Sequence, residues 1–234
     1  MEAIILAGGL GTRLRTMHPK VPKPMVPVWN KPFLAHLLDY LKTQGITAVI
    51  LSVSYLSEQI EAYFKNSYQG IRIRYAREEQ PLGTGGAIRN ALQLVQSSDS
   101  LFIINGDTYL KLDYPAMAQQ HEQQEAKITM ALHPVLNCHR YGAVHIENTV
   151  VLAFQERGKK HPGLINAGVY YFDPCIFQQI DIPTAFSFEK DFLVPQVSQL
   201  KPAAFIVSEY FIDIGIPEDY AQILRDFTPH SVVT

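Results

Sequence analysis

Cysteine is scarce in this 234-residue chain. Cys138 and Cys175 are the only two, they form no Cys-x-x-Cys pair, and neither sits in a metal-ligand spacing. A disulfide framework and a cysteine-built zinc site are not expected, and a reducing compartment is. Neither sign of charge is in excess: 20 basic residues face 22 acidic ones, for a formal charge of −2. A broad electrostatic grip on nucleic acid or on an anionic membrane is therefore not expected, and any nucleotide has to be held locally. No apolar run approaches the roughly 20 residues that span a bilayer, and Met1-Glu2 leads directly into the first apolar segment without a secretory leader. These absences predict a cytoplasmic protein without nucleic-acid or membrane partners. Gly-x-Ser-x-Gly, His-Glu-x-x-His and a Ser-His-Asp signature are also missing, as are repeats and low-complexity tracts.

What is present is a 47% apolar composition, enough for a sizeable core, and one unusual opening stretch. The apolar run Ala3 to Leu6 reads as a buried strand. It stops at Gly8-Gly9, passes Gly11-Thr12-Arg13, and meets Lys23 held between Pro22 and Pro24. Glycines let backbone N–H groups approach an anion, and Arg13 and Lys23 add fixed positive charge beside them. A strand ending in such a loop suits a polyphosphate. It is not a P-loop, because Thr12-Arg13 follows Gly11 where Lys-Ser/Thr is required. It is a poor dinucleotide fingerprint as well: Leu14 stands where the third small residue belongs, and no acidic residue ends the strand at Val53.

Downstream, Phe33, Leu34, Leu37, Leu38 and Leu41 fall at helical spacing before Gly45. Thr47 to Val53 reads as a second buried strand, Ser57 as the cap of a helix, and Ile71 to Tyr75 as a short strand. Gly83, Thr84 and Gly85 open a further helix, whose free N–H groups suit a nucleotide, or which is a plain glycine turn. Gln80 just before it is a candidate contact to the base edge. Leu101 to Asn105 is an apolar strand with Gly106-Asp107 at its end, where open α/β sheets bind ligands. Asp107 reads there as a Mg²⁺ carboxylate or as an Asx turn. Asp113 and Pro115 begin another helix, and from Lys127 onward strand-like runs follow one another at 128–132, 141–146, 150–155 and 167–172. Asp213 has apolar neighbours and needs a partner, either a shared metal or its own turn, and Pro217 opens the last helix. The alternation of strands and helices predicts an α/β fold, a Rossmann-like three-layer sandwich around a mixed, mostly parallel sheet. It forms one domain over 1–234, with a nucleotide-binding half at about 1–125 and a β-rich half at about 126–234 suited to a second substrate.

The segments Leu6 to Leu14 and Pro22 to Pro24 together resemble the signature of the sugar-1-phosphate nucleotidylyltransferases, also called nucleoside-diphosphate-sugar pyrophosphorylases. Leu82 to Ala87, Gly106-Asp107, Tyr141-Gly142, Asn166-Ala167-Gly168 and the Asp213 segment are similar to further motifs of that family. Glu156-Arg157 resembles its Glu-Lys pair, with arginine in place of lysine and Lys159 and Lys160 close behind. The resemblance implies the nucleotide-diphospho-sugar transferase fold. It implies that Leu6, Ala7, Gly8, Gly9, Gly11, Thr12, Gln80, Gly83, Thr84 and Gly85 hold a nucleoside triphosphate, and that Arg13 and Lys23 are catalytic. Asp107, Tyr141, Gly142, Glu156, Arg157, Asn166 and Gly168 would hold a sugar 1-phosphate, and Asp107 and Asp213 would hold Mg²⁺. Within the family the ending Tyr210 to Tyr220 looks most like the heptose 1-phosphate guanylyltransferases, which implies GTP as donor. Transfer to mannose 1-phosphate, or of a uridylyl or thymidylyl group, stays open, as does a non-catalytic nucleotide-sugar sensor. A homo-oligomer stays open too.

Overall fold

The computed structural model of the protein describes residues 1–9, 14, 17–96, 99–178 and 182–227. In chain order the elements begin with β1 (Glu2–Leu6), a 3-10 turn at Lys23–Met25, β2 (Pro27–Val28), β3 (Lys31–Pro32), α1 (Phe33–Thr43), β4 (Ala48–Val53) and α2 (Ser57–Phe64). There follow β5 (Ser67–Tyr68), β6 (Ile71–Arg77), α3 (Gly83–Leu92), β7 (Leu101–Asn105), β8 (Thr108–Leu110) and α4 (Tyr114–Gln123). The second half contributes β9 (Ile128–Val135), β10 (Val144–Glu147), β11 (Val150–Phe154), β12 (Gly163–Phe172), a π-helical turn at Phe188–Leu193, α5 (Val194–Leu200), β13 (Ala203–Ile206), β14 (Phe211–Asp213) and α6 (Pro217–Asp226).

One ten-stranded sheet runs β10-β11-β13-β9-β12-β7-β1-β4-β6-β5. Strand alternation sends its side chains into two separate cores. Ala3 and Ile5 of β1 pack on the side of Leu34, Leu37, Leu38 and Leu41 of α1. Ile4 between them packs on the side of Ile88 and Ala91 of α3 and of Phe188, Phe192 and Leu193 of the π-helical turn. Helices therefore cover both faces, and β4 is buried at all six positions, as a central strand of a covered parallel sheet should be.

The sheet is mixed rather than mostly parallel. Parallel pairing joins β7, β1, β4 and β6, where helices provide the crossovers, and recurs between β13 and β9. Elsewhere the pairing is antiparallel, in the hairpins β5–β6 and β10–β11 and where β12 meets β9 and β7. Ser57 does not cap α2 with its side chain. It is the first helical residue, its N–H donates to the Ser54 carbonyl at 3.2 Å, and Leu56 before it adopts a left-handed turn. Among the described residues no helix is long and apolar enough to cross a membrane.

Two features aim the site. β12 is the longest strand, and its pairing with β9 shifts register between Asn166 and Tyr170, around Gly168 at φ +72°. β8 and β14, three residues each, pair antiparallel as a separate ribbon with Asp213 opposite Thr108. Nothing in the periodicity of the sequence singles out that ribbon, since each strand is too short to carry a pattern.

Candidate active site

The chain converges on Lys23. Its turn is preset by Pro22, extended at φ −65°, and anchored by the buried Pro24. α6 braces the same region: the Tyr220 hydroxyl donates to the Pro27 carbonyl at 2.6 Å, and the Trp29 indole N–H to the Leu224 carbonyl at 2.9 Å. Asp107 follows β7 through Gly106, whose N–H donates to the Leu6 carbonyl at 2.9 Å. A side chain at Gly106 would bring its Cβ within 2.6 Å of that carbonyl oxygen, so glycine is required for the close approach. Asp213 ends β14, and the next residue, Ile214, donates its N–H to the Asp107 carbonyl at 3.0 Å. Two carboxylates distant in the sequence thus stand side by side. The Lys23 ammonium is ion-paired with Asp107 and lies 3.7 Å from Asp213 Oδ1.

One ammonium does not satisfy this pair. Asp213 Oδ1 is buried and accepts no hydrogen bond. Burial, and next the charge of Asp107, raise the Asp213 pKa above the usual carboxylate range, against the opposing pull of Lys23 and Arg140. Among the described residues no cluster of three or more His, Cys, Asp or Glu exists that would cage a metal alone. Two carboxylates, one of them holding an orphaned oxygen, suit a hard divalent cation that takes its remaining ligands from water and substrate phosphate.

Two clefts lie near this centre, one reaching Leu6, whose carbonyl holds Gly106, and one sharing Asp213. The first lies beyond the carboxyl ends of β1, β4 and β6 and is lined by Leu6, Gly8, Gly9, Ser52, Ser54, Glu78, Pro81, Gly83, Thr84 and Ala87. The Ser54 hydroxyl donates to the Gly8 carbonyl, and Ala7 lies buried behind, its N–H on the Ser52 carbonyl at 2.8 Å. Gly83 has φ +67°, and a Cβ there would meet the Phe186 carbonyl oxygen at 2.5 Å. Gly85 is buried and gives its N–H to that same carbonyl at 2.9 Å, while the Thr84 hydroxyl accepts from the Phe188 N–H. The glycines of this helix start therefore serve close packing of the Phe186–Phe188 segment as well as the cleft. Gln80 is exposed and outside the lining. Gly11, Thr12 and Arg13 lie outside the described residues.

The second cleft shares Asp213 with the centre and is lined also by Asn105, Thr108, Tyr141, Arg157, Asn166, Ala167, Gly168, Glu189 and Phe211. Asn166 is fixed from both ends: its oxygen accepts from the Gly168 N–H at 3.1 Å, and its amide donates to the Tyr170 hydroxyl at 2.6 Å and to Glu189 at 2.9 Å. Tyr141 lies under Arg140, whose guanidinium is 5.0 Å from the ring centroid and forks onto Asp219 at 2.7 and 3.1 Å. Burial, and next the charge of Asp213, push the Tyr141 phenol up to about 12. Gly142, at φ +81°, donates to the Cys138 carbonyl and packs against the Gln155 carbonyl; it shapes the 155–157 loop and does not line the cleft. Glu156, Lys159 and Lys160 are exposed and outside the lining, and Arg157 is the cation of that loop that reaches it.

Sequence reasoning missed Glu78, Ser52 and Ser54 in the first cleft and Asn105, Glu189 and Arg140 near the second. Glu78 carried a signal, an acidic residue directly after a strand. Glu189 carried none, because its turn reaches the cleft only through tertiary packing.

The chain matches a family profile described as nucleotidyl transferase over residues 2–229. It is 47% identical over 226 residues to a D-glycero-alpha-D-manno-heptose 1-phosphate guanylyltransferase of Aneurinibacillus thermoaerophilus, covering 97% of this chain and 98% of that one. It is 45% identical to the protein of the same name from Campylobacter jejuni, covering 96% and 99%. The crystal structure of HddC from Yersinia pseudotuberculosis complexed with GMP-PN superposes with a TM-score of 0.84 at 38% identity, over 97% of this chain and 99% of the other.

Proposed function

The chain belongs to the nucleotidyl transferase family, and we propose that within it the protein transfers a guanylyl group from GTP to D-glycero-alpha-D-manno-heptose 1-phosphate, releasing pyrophosphate. The relatives of that name, nearly as long as this chain and almost half identical to it, support the choice of donor and acceptor. The observation that carries the chemistry is Lys23 between Asp107 and Asp213, with Asp213 also lining the second cleft. The fold is read as a Rossmann-like three-layer sandwich whose residues 1–125 take the nucleotide and 126–234 the sugar phosphate.

A phosphate oxygen of the sugar 1-phosphate attacks the α-phosphorus of GTP. An O–Pα bond forms, the bond from Pα to the β-phosphate bridge breaks, and its electron pair leaves with pyrophosphate. The nucleophile is already an anion at neutral pH, so no general base is needed. What the reaction needs is alignment of two anions and cover for transition-state charge. Lys23 stabilises the α-phosphate, the Gly8 to Gly11 amides and Arg13 hold the β- and γ-phosphates, and Arg157 meets the sugar phosphate. Asn166, Tyr141 and the backbone at Gly168 orient the sugar. Asp107 and Asp213 would hold Mg²⁺, which when bound neutralises and orients phosphate oxygens. The need for GTP puts the reaction in the cytoplasm.

The test is a matrix of the four nucleoside triphosphates against heptose, mannose and glucose 1-phosphates, read by pyrophosphate release. GTP with the manno-heptose phosphate should give the highest kcat/KM. A preference for UTP or dTTP refutes the guanylyl reading, and a preference for mannose 1-phosphate refutes the acceptor. No turnover with any pair favours a sensor over an enzyme.

A further inference from the structure

α6 begins just after Asp213 and holds the site through two neighbouring residues. Tyr220 donates its hydroxyl to the Pro27 carbonyl, beside the Lys23 turn, at 2.6 Å. Asp219, the residue before it, accepts both prongs of the Arg140 guanidinium: Nη1 donates to Oδ1 at 3.1 Å and Nη2 to Oδ2 at 2.7 Å. That guanidinium lies over the Tyr141 ring, 5.0 Å from its centroid and within the range of a cation–π contact. The same ring meets Phe211 edge-on, at 5.9 Å and 72°. Tyr141 lines the second cleft, and Arg140 does not. Arg140 therefore reaches the cleft only through its neighbour.

From this arrangement we propose that Arg140 is a positioning residue for the acceptor. Locked to α6 by Asp219, it holds Tyr141 at the sugar cleft in fixed relation to the Lys23 turn, which the same helix holds through Tyr220. The proposal rests on the reading of the second cleft as the sugar-phosphate site and deepens it. The charge of Arg140 is taken up by Asp219, so its part is geometric and capture of the sugar phosphate is left to Arg157. An exposed ion pair between two long, flexible side chains does little. Here both side chains are partly buried, and two N–H groups meet the two oxygens of one carboxylate. Such a fork fixes the orientation of the guanidinium and so the face it turns to Tyr141. A lysine has neither the fork nor a plane to stack. Transfer needs the acceptor phosphate in line with the α-phosphorus, and a strut that joins the donor side to the acceptor side serves that alignment.

The competing role is a plain clamp that fastens α6 to the body and affects stability alone. With the full chain, KM for heptose 1-phosphate, KM for GTP, kcat and Tm are measured in the wild type, Arg140→Lys, Asp219→Asn, Tyr141→Ala and the double variant of Arg140→Lys with Tyr141→Ala. Arg140→Lys and Asp219→Asn should each raise KM for heptose 1-phosphate about fivefold, as loss of a cation–π contact would, and move KM for GTP much less. Tyr141→Ala should raise the same KM further. In the double variant the lysine should add nothing, because no ring is left to hold. Additive losses overturn the proposal, as do equal rises in both KM values, or a lowered Tm with both KM values unchanged. If Arg140→Lys does not fold, Asp219→Asn with and without Tyr141→Ala makes the same comparison. A Tyr141→Ala enzyme with the wild-type KM for heptose 1-phosphate overturns the reading of the second cleft itself, on which the role of Arg140 depends. A Tyr141 effect without an Arg140 effect overturns the proposal alone, so the two failures are distinct.

Discussion

Asp213 bears a charge that its surroundings oppose. Burial and Asp107 raise its pKa, and Lys23 and Arg140 offset this only in part. A raised carboxylate pKa means that the folded state holds the proton more tightly than the unfolded chain. Stability of the metal-free protein therefore falls as pH rises from the ordinary Asp value, about 4, through the raised one, and stays lowered above it. Asp213→Asn should then melt higher than the wild type at pH 7 without metal, with the gap closing as the pH drops through that window. Added Mg²⁺ should raise the wild-type Tm and leave the variant unmoved. Calorimetry at a series of pH values checks both, and identical melting of the two proteins throughout would sink the assignment. Lys23→Ala should lower kcat about a hundredfold at saturating substrates, the usual cost of one charge-stabilising contact; near-full turnover would remove Lys23 from the chemistry. At this scale the sequence was informative at two of the strand ends, those of β7 and β14. Asp107 and Asp213 stood out because a carboxylate beside an apolar run needs a reason. The direction of Glu78 and Gln80 did not, since which of two nearby polar residues turns inward depends on how β6 meets α3.

The strands and helices of the first half were legible because each buries a whole face and repeats a period: β1, β4, β7 and α1 lie within a residue or two of where hydrophobic spacing puts them. Strand order and direction were not, because pairing between β12 and β7 or between β8 and β14 depends on contacts far apart in the chain. The irregularity in β12 is an example. Gly168 combines φ +72° with the Asn105 side chain lying where a Cβ would stand. Gly168→Ala should destabilise the fold by about 1–3 kcal/mol in urea titration. It should also raise KM for the sugar 1-phosphate more than KM for GTP, since Asn105 and Asn166 line the second cleft. Equal changes in the two KM values would separate the bulge from sugar binding.

β12 pairs with β7 over four residues and so joins the two halves into one sheet. The molecule should then unfold as one unit. Each half supplies its own probe: Trp29, the only tryptophan, sits in the first, and Cys138, 1% exposed, in the second. With the exposed Cys175 replaced by serine, indole fluorescence and the reactivity of Cys138 towards a thiol reagent should change at the same guanidinium midpoint. Separate midpoints would mean two cooperative units sharing a seam.

The bracing of the Lys23 turn by α6 has a consequence for biosynthesis. Tyr220 and Leu224 leave the ribosome 193 and 195 residues after Pro27 and Trp29, the residues they bond to. A nascent chain that already displays the glycine loop still lacks both Asp213 and the helix that steadies the lysine. With Lys23 and Asp213 in the roles proposed for them, translation of the protein is separated in time from the onset of its chemistry, since a polypeptide stalled before residue 213 lacks half of that pair.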